Sequence, residues 1–180
     1  MTSISEAAFG SLVEAVWQNA RTARPILPST PRTFVEPGVD GRYIFSKSVA
    51  RRIVADKAAI ANVRDPTIQR LFRAVLGSTV IPAGNVTVSG KGRRYRHGWE
   101  TRPIKPHVDG GLFREGVISA LYDLRRFGAR RCRDFSVMRG DARSLTDTVG
   151  GCDLAVFSPP YPNPFDHTDV YNVELRALEI

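Results

Sequence analysis

Asp153-Leu154-Ala155-Val156-Phe157-Ser158-Pro159-Pro160-Tyr161 is the stretch on which the reading of the fold turns. Its first five residues form an apolar run that is too short for a helix and has the character of a buried strand. Pro159 and Pro160 end the run, because neither can donate a ladder hydrogen bond. The sequence therefore predicts a strand over 153–157, then a rigid turn carrying a hydroxyl, two prolines and an aromatic ring. In an open parallel sheet, ligand crevices form at the carboxyl ends of the strands.

Moving upstream, Phe135-Ser136-Val137-Met138 predicts a second short strand, over 134–138 and parallel to the first. It runs into Gly140-Asp141-Ala142-Arg143. Ser144 to Val149 then reads as a short helix or crossover, and Gly150-Gly151 as a turn. The expected fold class is α/β, with a helical portion over 1–130 and a sheet segment over 131–180.

A strand followed by Ser-Pro-Pro-Tyr resembles the catalytic motif of amino-directed DNA methyltransferases. These enzymes transfer a methyl group from S-adenosyl-L-methionine to an exocyclic base nitrogen. The segment 153–174, DLAVFSPPYPNPFDHTDVYNVE, resembles a subgroup whose motif continues into an Asn/Phe/Asp/Thr/Asp/Tyr-rich run, and Gly140 to Arg143 resembles the family's GDAR element. The resemblance covers residues 43–178 and implies part of a Rossmann-like, S-adenosylmethionine-dependent fold. It implies catalytic roles for Ser158, Pro159, Pro160 and Tyr161, and places Asp141 beside the cofactor's adenine. The chemistry suits those residue types. A base flipped from a duplex is held by stacking and by its hydrogen-bonding edge. Tyr161 offers the stacking face, and Ser158 Oγ and the Pro159 carbonyl accept from the amino group. Ser at the first position makes N4-methylcytosine the first expected product and N6-methyladenine the second. A bare S-P-P-Y also reads as a proline-turn docking peptide for an SH3-type partner, and Asp141 also reads as a helix or turn cap.

Composition bounds the partner. The 180 residues carry 26 Lys and Arg against 18 Asp and Glu, a formal charge of +8. That excess favours a polyanion such as DNA, and equally fits a merely basic surface. No apolar run approaches a membrane span, and the first residues lack a secretory pattern. Cys132 and Cys152 have no metal-like spacing and read as buried thiols in a reducing cytoplasm. His97, His107 and His167 share no ligand spacing, so no metal is expected.

The amino-terminal portion reads as helices. Ser3 with Glu6 makes a capping-box pattern, and Phe9, Leu12, Val13, Val16, Trp17 and Ala20 recur at helical spacing. A proline-rich connector spans 24–41. A second helix sets Val49, Ile53 and Ile60 opposite Arg51, Arg52, Asp56 and Lys57. Asp65-Pro66 opens a third, with Ile68, Leu71, Phe72, Val75, Leu76 and Thr79 on one face. Asp109-Gly110-Gly111 opens a fourth, with Phe113, Val117, Leu121 and Leu124 inward and Arg125 and Arg126 near its end.

Between the third and fourth helices, Val86-Thr87-Val88 predicts a short strand, followed by a basic loop over 89–99. Lys91, Arg93, Arg94 and Arg96, interleaved with Tyr95 and Trp99, form a candidate phosphate-backbone grip; a solvated basic loop is the alternative. The resembling subgroup has a similar Lys-Gly-Arg-Arg-Tyr-Arg element.

The family's glycine-rich loop, which cradles the methionine part of the cofactor, is not found in these residues. The expectation is therefore a fragment of a restriction–modification-type DNA methyltransferase, a truncated gene product or one piece of an enzyme completed by a complementary polypeptide, that does not hold S-adenosyl-L-methionine by itself. Two other classes remain open: a non-catalytic basic nucleic-acid-binding module, and a proline-turn interaction protein.

Overall fold

The computed structural model describes residues 5–89, 92–101, 104, 106–129, 135–145, 150–156 and 167–179. The chain forms two compact units. One comprises Met1–Ala129 with Asp166–Ile180, and the other Arg130–Phe165.

The first unit holds α1 (Glu6–Thr22), α2 (Lys47–Ala61), α3 (Pro66–Ala83), β1 (Val86–Ser89), β2 (Gly92–Tyr95), α4 (Pro106–Phe127) and α6 (His167–Glu179). The second holds the single-turn α5 (Ala142–Leu145). The described residues are thus mixed α/β: five long helices, one short helix and a two-stranded antiparallel sheet.

α3 is the hub. Asp65 caps it, Oδ1 accepting from the amides of Thr67 at 2.8 Å and Ile68 at 3.0 Å, and Pro66 presets the first helical φ. Ile68, Phe72, Val75 and Leu76 bury one face against Phe9 and Val16 of α1 and Phe113 and Val117 of α4. The Phe9 and Phe72 rings lie 4.5 Å apart. Each large apolar side chain so buried contributes about 1.5–3 kcal/mol. α4 crosses close to α3 at Gly116, where a Cβ would lie 2.9 Å from Val75 Cγ1.

A second apolar cluster joins Phe34, Ile44, Phe45, Val49, Ile53, Val80, Val86, Val173 and Ala177. It draws the connector, the end of α3, the start of β1 and α6 together. The connector is ordered by local pairing: Val39 and Arg42 exchange amide–carbonyl bonds of 3.1 and 2.8 Å around Asp40 and Gly41. Both central residues have positive φ, 51° and 73°, the geometry of a tight two-residue hairpin turn that an Asp-Gly pair accepts.

Several expectations change. The first helix is capped by Ser5, whose Oγ accepts from the Ala8 amide at 3.0 Å; Ser3 lies outside the described residues. The fourth helix begins at Pro106, three residues before Asp109, because proline at the first position fixes a helical φ without wasting a donor. Asp56, read as part of a polar face, is fully buried. The strands expected over 134–138 and 153–157 are not present in their described portions, 135–138 and 153–156. The only sheet among the described residues is antiparallel, not parallel. Phe135, Val137, Leu154 and Val156 are instead exposed, Val156 by 88%. An apolar run becomes a strand only where a neighbouring strand takes up its amides and carbonyls. Cys152 is likewise exposed rather than buried; Cys132 lies outside the described residues.

Candidate nucleic-acid interface

β1 and β2 pair in the register Val86↔Tyr95, Thr87↔Arg94, Val88↔Arg93 and Ser89↔Gly92. The basic element expected as a loop is therefore half strand. Alternation along the strand decides where its cations go. Arg93 lies on the face of Val88, Tyr95 and Val86, and Arg94 on the opposite face with Thr87.

Arg93 Nη1 donates to Asn172 Oδ1 on α6 at 3.1 Å. It lines a cleft of about 430 Å³ with Thr33, Phe34, Asn172, Arg176 and Glu179. Arg94 Nη2 donates to Ser89 Oγ at 2.7 Å, on the outer face of the hairpin. Arg96 turns inward. Its Nε and Nη2 donate to the carbonyls of Gly84 at 3.0 Å and Ile81 at 3.2 Å, at the carboxyl end of α3. A cation there adds a donor to the carbonyls at the helix end and complements the helix dipole. The hairpin base is fixed by buried Asn85, whose amide donates to the Ile44 carbonyl at 2.8 Å and whose carbonyl accepts from the Arg96 amide at 2.9 Å.

Tyr95 packs on Trp99 with ring centroids 4.9 Å apart, and Trp99 meets Tyr43 edge-on at 5.3 Å. Burial raises the Tyr43 phenol, and the charge of Glu36 raises it further. Trp99 is buried, so these rings brace the hairpin on the connector. Of the four cations grouped in sequence, Arg93 and Arg94 point to opposite faces and Arg96 serves the helix end. Lys91 lies outside the described residues. Arg96→Ala is accordingly expected to lower stability by about 2 kcal/mol, the scale of lost charged hydrogen bonds. Chemical denaturation measures this, and Arg94→Ala should change stability by less than about 0.5 kcal/mol.

Asp141 is exposed, and its backbone carbonyl accepts from the amides of Ser144 and Leu145, each at 3.0 Å, at the start of α5. Ser158, Pro159, Pro160 and Tyr161 lie outside the described residues. The helix that follows them is firmly held: Val173 and Ala177 of α6 are buried, and Leu178 lies against Gly77 of α3. Arg93 thus links the basic hairpin to the element that leaves the Pro-Pro-Tyr segment. Asn172 and Arg176 were not singled out in the sequence. Their signal was the i, i+4 pair Val173 and Ala177, which marks the buried face of α6 and sets Asn172 beside it.

Among the described residues, no group of three or more His, Cys, Asp or Glu side chains is placed to hold a metal. No helix there is long and apolar enough to cross a membrane. No protein-family model, curated protein or solved structure matches this chain.

Proposed function

We propose that this chain is the target-base portion of an amino-directed DNA methyltransferase of restriction–modification type. The observation that carries the reading is the run Asp153 to Glu174, in which Ser-Pro-Pro-Tyr follows an apolar segment and continues in the subgroup's pattern. In this reading Ser158 and the Pro159 carbonyl accept from the base amino group, Pro160 stiffens the turn, and Tyr161 stacks on the base. The cofactor is S-adenosyl-L-methionine, with Asp141 near its adenine and its glycine-rich cradle supplied by a complementary polypeptide. Phe135, Val137, Leu154 and Val156 are exposed in the second unit, and in this reading the remaining parts of a partial Rossmann-like sheet would pair with these runs and cover them.

The direct test joins the chain to the glycine-rich region, sought first in the reading frames flanking its coding sequence. Methyl incorporation into DNA is then measured and the product nucleosides are identified by mass spectrometry. N4-methylcytosine is expected, with N6-methyladenine second, and C5-methylcytosine would overturn the chemistry.

DNA affinity is tested on the chain by itself. Lys91, Arg93 and Arg94 are the hairpin's phosphate contacts, and Arg96 is left intact for its role at the end of α3. Binding to an oligonucleotide should be largely independent of sequence and fall steeply with salt. Replacing the three by Ala should reduce the log–log salt slope by about 2–3 in fluorescence anisotropy. An unchanged slope would refute the hairpin assignment.

A further inference from the structure

We infer that the cavity between the end of α1, the segment after it and the first turns of α2 is a second anion site, built for phosphate esters. Its volume of about 620 Å³ lies within the range of small-ligand pockets. Its lining includes Arg21, Arg24, Arg51, Arg52 and the hydroxyl-bearing Ser48, and no carboxylate. Arg52 is paired with Asp56, and the remaining cations, Arg21, Arg24 and Arg51, repel one another over a screening length of roughly 8 Å at physiological ionic strength. A bound polyanion removes that repulsion, and guanidinium forks match phosphate oxygens in geometry.

Arg52 is a preset wall of this cavity. Its Nε is committed to Asp56 Oδ2 at 3.0 Å, and its guanidinium carbon sits 4.7 Å from the centre of the Trp17 ring. Within the pair, Arg52 Nη2 and Asp56 Oδ1 are both buried without a hydrogen-bond partner. The group is thus held from two sides, and a ligand meets a guanidinium already fixed in place. Arg24 is held as well: its Nη1 donates to the carbonyls of Arg21, Thr22 and Ala23, at the end of α1. The other wall is apolar, with Pro25, Leu27 and Ile26, the last 91% exposed. Cations facing an apolar wall suit an organic phosphate better than a bare ion. The chain's charge of +8 favours the sugar-phosphate backbone of a nucleic acid as its source, and a free nucleotide offers the same chemistry. The site does not depend on the methyl-transfer reading, since none of its residues belongs to the hairpin or to the Pro-Pro-Tyr segment.

The test uses the full chain with Arg21→Gln and Arg51→Gln combined, leaving Arg24 and Arg52 in their structural roles. A labelled 12-nucleotide DNA and, separately, ATP are the probes. The expected result is an oligonucleotide affinity at least about tenfold lower at 50 mM salt and a salt slope reduced by about 1.4–1.8, the share of two phosphate contacts. Thermal melting should be unchanged. Loss of ATP binding with oligonucleotide binding intact would keep the phosphate-ester site and overturn the backbone as its source. Unchanged binding of both probes would overturn the site. Should the double variant fold poorly, the wild-type chain decides: either probe must shift the Nε–Hε resonances of Arg21, Arg51 and Arg52, and no shift overturns the proposal. A parallel Arg93→Gln/Arg94→Gln variant separates failure of this site from failure of the hairpin.

Discussion

Asp56→Ala is expected to destabilise the chain by about 3–5 kcal/mol, the scale for removing one partner of a buried ion pair. Asp56 is 0% exposed and the Arg52 side chain 16%. Deleting the carboxylate leaves a guanidinium with little access to water and a void beside α2. A second contact survives, since Arg52 still lies over Trp17, but a ring face offsets only part of the lost charge. Replacing both partners by apolar residues of similar size, Arg52→Met with Asp56→Leu, should recover most of the loss, because the desolvation of both charges disappears together. Urea denaturation of the two single variants and the double measures this cycle. A loss below about 1 kcal/mol in Asp56→Ala would show that the pair is not coupled to the core as its burial implies.

The same pair has a pH signature. Burial raises the Asp56 carboxyl above its ordinary value of 3.8, while the Arg52 hydrogen bond and charge pull it back down; the net shift is upward. A raised folded-state value means that folding favours the protonated form. The stability from this group is fully present below the unfolded value near 3.8 and is lost as pH rises through the folded value. Asp56→Asn keeps an acceptor for Arg52 Nε and cannot ionise. The stability of wild type relative to Asp56→Asn should therefore fall as pH rises from about 4.

Asp56 shows the limit of reading by residue type. Its charge groups it with Arg51, Arg52 and Lys57, but at 100° per residue it falls beside Val49, Ile53 and Ile60, on the face that the fold buries. What could be read was local: the Asp65-Pro66 start of α3, its Ile68 to Thr79 face and the apolar stripe of α1 are fixed by spacing and capping. What could not be read depended on distant partners. Gly92 to Tyr95 looks like a loop by composition and becomes a strand by pairing with Val86 to Ser89. Arg96 reads as one more cation until the carbonyls of Ile81 and Gly84 come within reach. The four arginines of the cavity come from the end of α1, the segment after it and α2, whose approach no local pattern announces. The runs at 135–138 and 154–156 show the converse: apolar composition is legible, but strand pairing is a property of two segments. The candidate site divides in the same way. The residue types of Ser158 to Tyr161 suggest a chemistry from sequence alone, whereas the separation of Arg93 from Arg94 needed the register of the hairpin.

If the chain is the methyltransferase portion proposed above, then in the enzyme completed with its glycine-rich region Ser158→Ala and Tyr161→Ala are each expected to lower methylation by about ten- to a thousand-fold. An amino group conjugated to a base ring is planar, and its lone pair is delocalised. Transfer requires that lone pair to point at the sulfonium methyl. Hydrogen bonds from the two N–H groups to Ser158 Oγ and the Pro159 carbonyl favour a pyramidal nitrogen and stabilise the positive charge that develops there. S-adenosyl-L-methionine would supply the methyl group and leave as the neutral thioether, and the surplus proton on nitrogen would pass to solvent. Tyr161 acts differently, by stacking on the flipped base and fixing its line of approach, so its loss should raise KM for DNA as well as lower kcat. In that reading the nitrogen attacks the methyl group directly, and no thiol takes part. Cys152→Ser should therefore retain full activity, although that thiol is exposed. The chain without its complement should show no calorimetric isotherm with S-adenosyl-L-methionine at low micromolar affinity, since Asp141 by itself does not replace the glycine-rich cradle. Full activity in the Ser158→Ala/Tyr161→Ala double variant would overturn the mechanism.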